Sequence, residues 1–83
     1  MKQVIEIKST LAIIFPSYAK VIYIEGPEPE EGIDTYEYSV RIDDEDLPQL
    51  ISFCEREQGI YELLDTENNF NMMRGNDGKL KNV

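Results

Sequence analysis

The sequence predicts an α+β domain: a mainly antiparallel β-sheet of about four to six strands packed on one α-helix. Three observations carry this. Several short segments alternate apolar and polar residues with period two. One segment alone, residues 46 to 59, switches to helical spacing. The chain has 83 residues, enough for a single domain with a modest core, so residues 1–83 form one unit.

The elements follow in order. "QVIEIK" places Ile5 and Ile7 on one face and Val4, Glu6 and Lys8 on the other, the pattern of a half-buried strand. "TLAIIF" is a second apolar run, stopped by Pro16, and Ser9–Thr10 before it reads as a bend or bulge. "YAKVIYIE" has Ile22 and Ile24 on one face and Val21 and Tyr23 on the other, which points to a central strand covered on at least part of both sides. "GPEPEEG" reads as a loop with no packing residues of its own. "TYEYSVRID" alternates most cleanly, with Tyr36, Tyr38, Val40 and Ile42 on its apolar face and Glu37, Ser39, Arg41 and Asp43 on its polar one. The strands flanking the Pro/Glu segment should pair as a hairpin with a long connection.

In "DLPQLISFCEREQG" a stripe of Leu47, Leu50, Ile51 and Cys54, with Phe53 at its edge, predicts the helix. Asp46 is the expected N-cap, with Gln49 completing a capping box, Pro48 in the first turn and Gly59 as the C′ residue. "IYELLD" fits a strand or a short helix. "NMMR" and "KLKNV" flank "GNDG", which has hairpin turn chemistry.

Charge is the other feature. The formal net charge is −9. The segment from Glu25 to Asp46 holds ten acidic residues and one base, Arg41, so it carries all of that excess, and the remainder of the chain is neutral. A local negative field repels nucleic acid and anionic lipid and attracts basic proteins. Direct nucleic-acid or membrane binding is therefore not expected.

Each motif has a structural explanation to set beside a functional one. "DDED", residues 43 to 46, is what a helix start favours. It lacks the spacing of an EF-hand loop, so no metal is expected. No secondary structure needs the charge of "EGPEPEEGID", which reads either as a solvated loop or as a binding segment. Tyr36 and Tyr38 belong to the core face. Cys54 lies on the apolar helix stripe and reads as a small buried hydrophobe rather than a nucleophile. As the lone cysteine it forms no internal disulfide, which fits a reducing compartment, and the expected location is cytoplasmic. Phe70, Met72 and Met73 are best read as packing residues. With no histidine, no cofactor motif and little volume to enclose a pocket, no enzyme activity and no cofactor are expected.

The expectation is a non-enzymatic acidic protein that docks on a basic surface of a partner protein. Its most economical form is a nucleic-acid-mimicking inhibitor of a DNA- or RNA-binding enzyme. Phage-encoded inhibitors of restriction or CRISPR nucleases belong to this functional class, and the likeness is one of charge and size alone, with no sequence match behind it. The contact residues expected are Glu28, Glu30, Glu31, Asp34, Glu37, Asp43, Asp44, Glu45 and Asp46, each standing in for a phosphate. The alternative is a structural or accessory subunit that associates through its sheet, as a homo-oligomer in the simplest case, with the acid serving solubility.

Overall fold

The computed structural model describes residues 1–68 and 70–83, the side chain of Glu30 apart. Strands β1 (Lys2–Ser9), β2 (Lys20–Glu30) and β3 (Ile33–Asp43) are followed by a 3₁₀ turn (Asp44–Asp46) and helix α1 (Leu47–Arg56). Strands β4 (Ile60–Asp65), β5 (Phe70–Arg74) and β6 (Leu80–Asn82) complete the chain. All six strands form one sheet in the order β2-β3-β1-β4-β5-β6, every neighbouring pair antiparallel. The predicted α+β class, with one helix on a mainly antiparallel sheet, is what the chain adopts.

The strand order follows from two crossovers. β1 and β2 run parallel with β3 between them, and β3 and β4 run parallel with β1 between them. Parallel strands need a long connection. Residues 10–19 supply the first and α1 the second. Both lie on the same side of the sheet, because the ring of Phe15 in the first connection meets Tyr38 of β3 at 5.1 Å and Phe53 of α1 at 5.8 Å. The Tyr38 hydroxyl also accepts a hydrogen bond from the Ile13 backbone N–H at 3.0 Å.

The core fills the space between sheet and helix. Ile5 and Ile7 of β1, Val40 and Ile42 of β3, Ile60 and Leu63 of β4, and Leu50 and Cys54 of α1 are all completely buried. The alternation read in β1 and β3 and the helical stripe both point inward as expected, with Tyr38 buried and Tyr36 half-buried beside it. Met72 and Leu80 join this core, while Met73 turns to the opposite face. The "GNDG" turn does close the β5–β6 hairpin: Gly75 N donates to Lys79 O at 2.9 Å and Gly78 N to Gly75 O at 3.0 Å.

Four local expectations are corrected. "TLAIIF" is not a strand. Chain passing over a sheet face from β1 to β2 cannot join the ladder, and its apolar residues Ile13 and Phe15 cover the core instead. β2 is an edge strand rather than a central one. Its two-sided apolar pattern arises because the register slips between Val21 and Tyr23, and Ile22, Tyr23 and Ile24 are 41%, 57% and 57% exposed.

The Pro/Glu segment is not a loop either. Pro27 and Pro29 lie inside β2, where an edge position spares their missing N–H groups. A second register slip between Glu25 and Glu28 takes up Gly26. Its φ is +110°, and a Cβ there would stand 2.5 Å from the Thr35 carbonyl oxygen, so only glycine fits. The hairpin therefore closes in two residues, Glu31 (φ 52°) and Gly32 (φ 83°), between the pair Glu30–Ile33.

The helix lacks the expected capping box. Asp46 makes no side-chain capping hydrogen bond and already has helical dihedrals, because the 3₁₀ turn runs straight into α1. Pro48 does fall in the first turn. Gly59 serves close packing rather than a left-handed cap: a Cβ there would stand 2.9 Å from the Leu11 side chain.

Candidate functional site

The pairing of β1 ends at Ser9–Tyr36, so Ile33–Thr35 of β3 and Glu28–Glu30 of β2 continue past it. This overhang and the stretch leading into it, residues 25–37, form an arm. It carries Glu25, Glu28, Glu30, Glu31, Asp34 and Glu37 and no basic residue. The residues expected at the partner contact thus divide into two groups. Glu28, Glu30, Glu31, Asp34 and Glu37 sit on the arm, the Glu30 side chain lying outside the described residues. Asp43, Asp44, Glu45 and Asp46 sit at the other end of β3, about 30 Å away for nine extended residues. The fold does not bring the groups together.

Asp43 and Asp44 of the far group are engaged within the chain. Asp43 pairs with Lys2 at 3.3 Å, and Asp44 accepts a hydrogen bond from Gln3 Nε2 at 2.8 Å and lies 3.8 Å from the terminal amine. These are exposed pairs, each worth about 0–1 kcal/mol. Basic residues surround them: Lys2 is opposite Asp43, and Lys20 is opposite Arg41. An acidic row does not extend along β3, because Ser39 and Arg41 interrupt it.

The arm is arranged differently. Cross-strand register puts Glu28 and Glu37, together with Glu25, on the face of the sheet away from the helix, and Asp34, opposite Pro29, on the other side. Glu25 stands directly opposite Glu37. Like charges in that relation oppose folding. Lys8 of β1, on the other flank of Glu37, pairs with it at 3.4 Å. Partial desolvation alone would lower the Lys8 pKa, but Glu62, Glu37 and Tyr61 outweigh it and hold the group above its ordinary value. Glu25, Glu28, Glu31 and Asp34 have no cationic partner among the described residues.

A hydrogen bond shared with Glu37 raises the Glu25 pKa, and the charge of Glu28 adds to the effect. A carboxyl with a raised folded-state pKa binds more protons folded than unfolded. The fold therefore loses stability as pH rises through the range above the ordinary Glu value, and below that value the loss is absent. Glu25→Gln is accordingly expected to raise Tm near about pH 7 and to leave it unchanged below about pH 4. Thermal melts at the two pH values check this, and a lowered Tm at neutral pH would contradict it.

Three hollows open on this face. The largest, about 540 Å³, lies under the arm and is lined by Thr10, Glu31, Ile33, Thr35 and Tyr61. A small one is bounded by Glu25, Glu28, Thr35 and Glu37. The third, about 190 Å³, runs from Glu25 and Glu37 to Tyr23, Ser39 and Glu6. Adjacent hollows share lining residues, so together they make a groove along β3. Sequence reasoning did not single out Glu6, Tyr23, Thr35 or Tyr61 for a site. Tyr61 reaches the groove through the bulge at Lys8–Ser9 in the β1–β4 pairing, a consequence of register rather than of local pattern.

Cys54 is fully buried, and burial pushes its thiol up to about 12. No cluster of acidic, Cys or His residues with metal-holding geometry occurs among the described residues. No helix among them is long and apolar enough to cross a membrane. Comparison with protein families, curated proteins and solved structures finds no match to this chain.

Proposed function

We propose that this chain is a non-enzymatic binding protein whose acidic β2–β3 arm docks on a basic surface of a partner protein. The observation that carries the reading is Glu25 held opposite Glu37 on an arm without a base. Folding gains nothing from that arrangement, and a cationic partner relieves it. A second feature agrees. Glu31 occupies a left-handed turn position that Asn or Gly fills at lower cost, so a carboxylate is kept at the arm tip against backbone preference. The finer form of the proposal is an inhibitor that occupies a basic surface otherwise used by DNA or RNA. The arm then carries the contact, and Asp43, Asp44, Glu45 and Asp46 contribute mainly to the long-range field.

The test is capture of a partner from host lysate with the wild type and with a variant combining Glu28→Gln, Glu30→Gln, Glu31→Gln and Asp34→Asn. Capture by the wild type is expected to fall steeply between about 50 and about 500 mM salt, as the Debye length shrinks from ~14 to ~4 Å. The variant is expected to lose capture while remaining folded. A captured protein that DNA or RNA displaces from the arm supports the inhibitor form. Equal capture by both baits at every salt concentration overturns the reading.

One observation favours an accessory subunit instead: the exposed Ile22, Tyr23 and Ile24 on edge strand β2. The same strand carries two prolines and two register slips, devices that block edge-to-edge pairing. Salt-insensitive self-association in sedimentation would support this second reading.

A further inference from the structure

We infer that the groove on the helix-free face seats an extended, arginine-bearing segment of the basic partner, with Tyr61 and Tyr23 as stacking surfaces near its two ends. The inference rests on the arm's proposed role and names what the arm receives. Among the groove residues, Glu6, Glu25, Glu28, Glu31 and Glu37 are acidic and only Lys8 is basic. The occupant is therefore cationic. Lys8 is committed to Glu37, which leaves the other four carboxylates to a guest.

The remaining lining selects the cation. Thr10, Thr35 and Ser39 offer hydroxyl oxygens as further acceptors, and a tyrosine ring stands in each of the two larger hollows. A guanidinium is planar, donates several hydrogen bonds in a fixed fork and stacks on aromatic faces. An ammonium is a point charge that gains less from a ring and from dispersed acceptors. The groove follows β3 from Ile33 to Ser39, about 20 Å, so an extended guest spans it with about six residues. A guanidinium laid against Glu25 relieves the repulsion between that carboxylate and Glu37, which stands opposite it across the ladder.

Fluorescence anisotropy with labelled Gly-Arg and Gly-Lys octapeptides of equal charge tests this, using the full chain and its Tyr23→Ala, Tyr61→Ala and Tyr23→Phe variants. The arginine peptide is expected to bind about three- to fivefold tighter than the lysine peptide. Either alanine substitution should shrink that preference, and Tyr23→Phe should retain it. Tyr23 is 57% exposed, so its variants separate recognition from folding even if Tyr61→Ala is unstable. Equal binding of the two peptides, or a preference unchanged in both alanine variants, overturns the inference. Either result leaves the partner-capture experiment unaffected, because that experiment depends on the arm's charge alone.

Discussion

Arg74→Ala is expected to destabilise the fold by about 2–4 kcal/mol. Arg74 is on β5, but its guanidinium works elsewhere. Nε donates to the Ile60 carbonyl at 2.8 Å, and Nη2 donates to the carbonyls of Cys54 at 3.0 Å and Glu57 at 3.1 Å. Nη1 donates to the Gly78 carbonyl. One side chain thus joins the end of α1, the start of β4 and the β5–β6 turn. The last carbonyls of a helix lack intrahelical donors and carry the negative end of its dipole, so a cation there has two reasons to bind. Alanine leaves four carbonyls without this donor, in a place only partly open to water. Lysine restores the charge but not the fork, and should recover less than half of the loss. Urea denaturation with an unchanged m-value is the measurement. A loss below about 0.5 kcal/mol would mean that water replaces the guanidinium at little cost.

Nothing in the sequence marks Arg74 for this task. Its acceptors lie 14 to 20 residues before it and four after it, and locally it is one base in a polar tail. The legible features are those in which a residue's face follows from its immediate neighbours. Ile5 and Ile7, the Tyr36-to-Ile42 series and the Leu50–Cys54 stripe need only period two or 3.6 to be placed. β2 misleads because a register slip breaks that periodicity. Apolar residues on both sides of a strand mean burial between two layers only where the alternation is unbroken. The Pro/Glu segment misleads for a related reason. Proline excludes a central strand but not an edge, and whether β2 is an edge depends on topology that no local pattern records.

The candidate site is legible in outline. The excess acid of residues 25–46 is plain in the sequence, but its division is not. Lys2, Gln3 and the terminal amine reach the Asp43–Asp44 end through the pairing of β1 with β3. That contact spans some forty residues of chain. The same pairing brings Lys8 to Glu37 and opens a groove whose tyrosines come from β2 and β4. Composition could indicate that this region prefers a cation. Only register shows which carboxylates remain available to one.

Ile7→Ala is expected to cost about 4 kcal/mol, whereas Leu80→Ala should cost about 2 kcal/mol, although one is completely buried and the other nearly so. The difference lies in how far the surroundings can close over a cavity. Ile7 is on β1, which is paired on both sides, with Tyr38 across one ladder and Leu63 across the other. None of these can move inward without breaking strand pairing, so the void persists. Leu80 is on a three-residue strand at the sheet edge and can settle by a small shift of the terminal segment. A domain of 83 residues has a total stability of about 4–12 kcal/mol, so Ile7→Ala leaves it close to unfolding at room temperature. Urea midpoints for the two variants measure the contrast, and an equal or larger loss for Leu80→Ala would contradict it. Ile7 faces the helix, whereas Glu25 and Glu37 face away from it. Substitutions on the two sides of the sheet should therefore move stability in opposite directions, downward for Ile7→Ala and upward for Glu25→Gln. If the arm is the binding surface, neutralising it weakens the partner without weakening the fold, and the residues that hold the sheet together are not those that meet the cation.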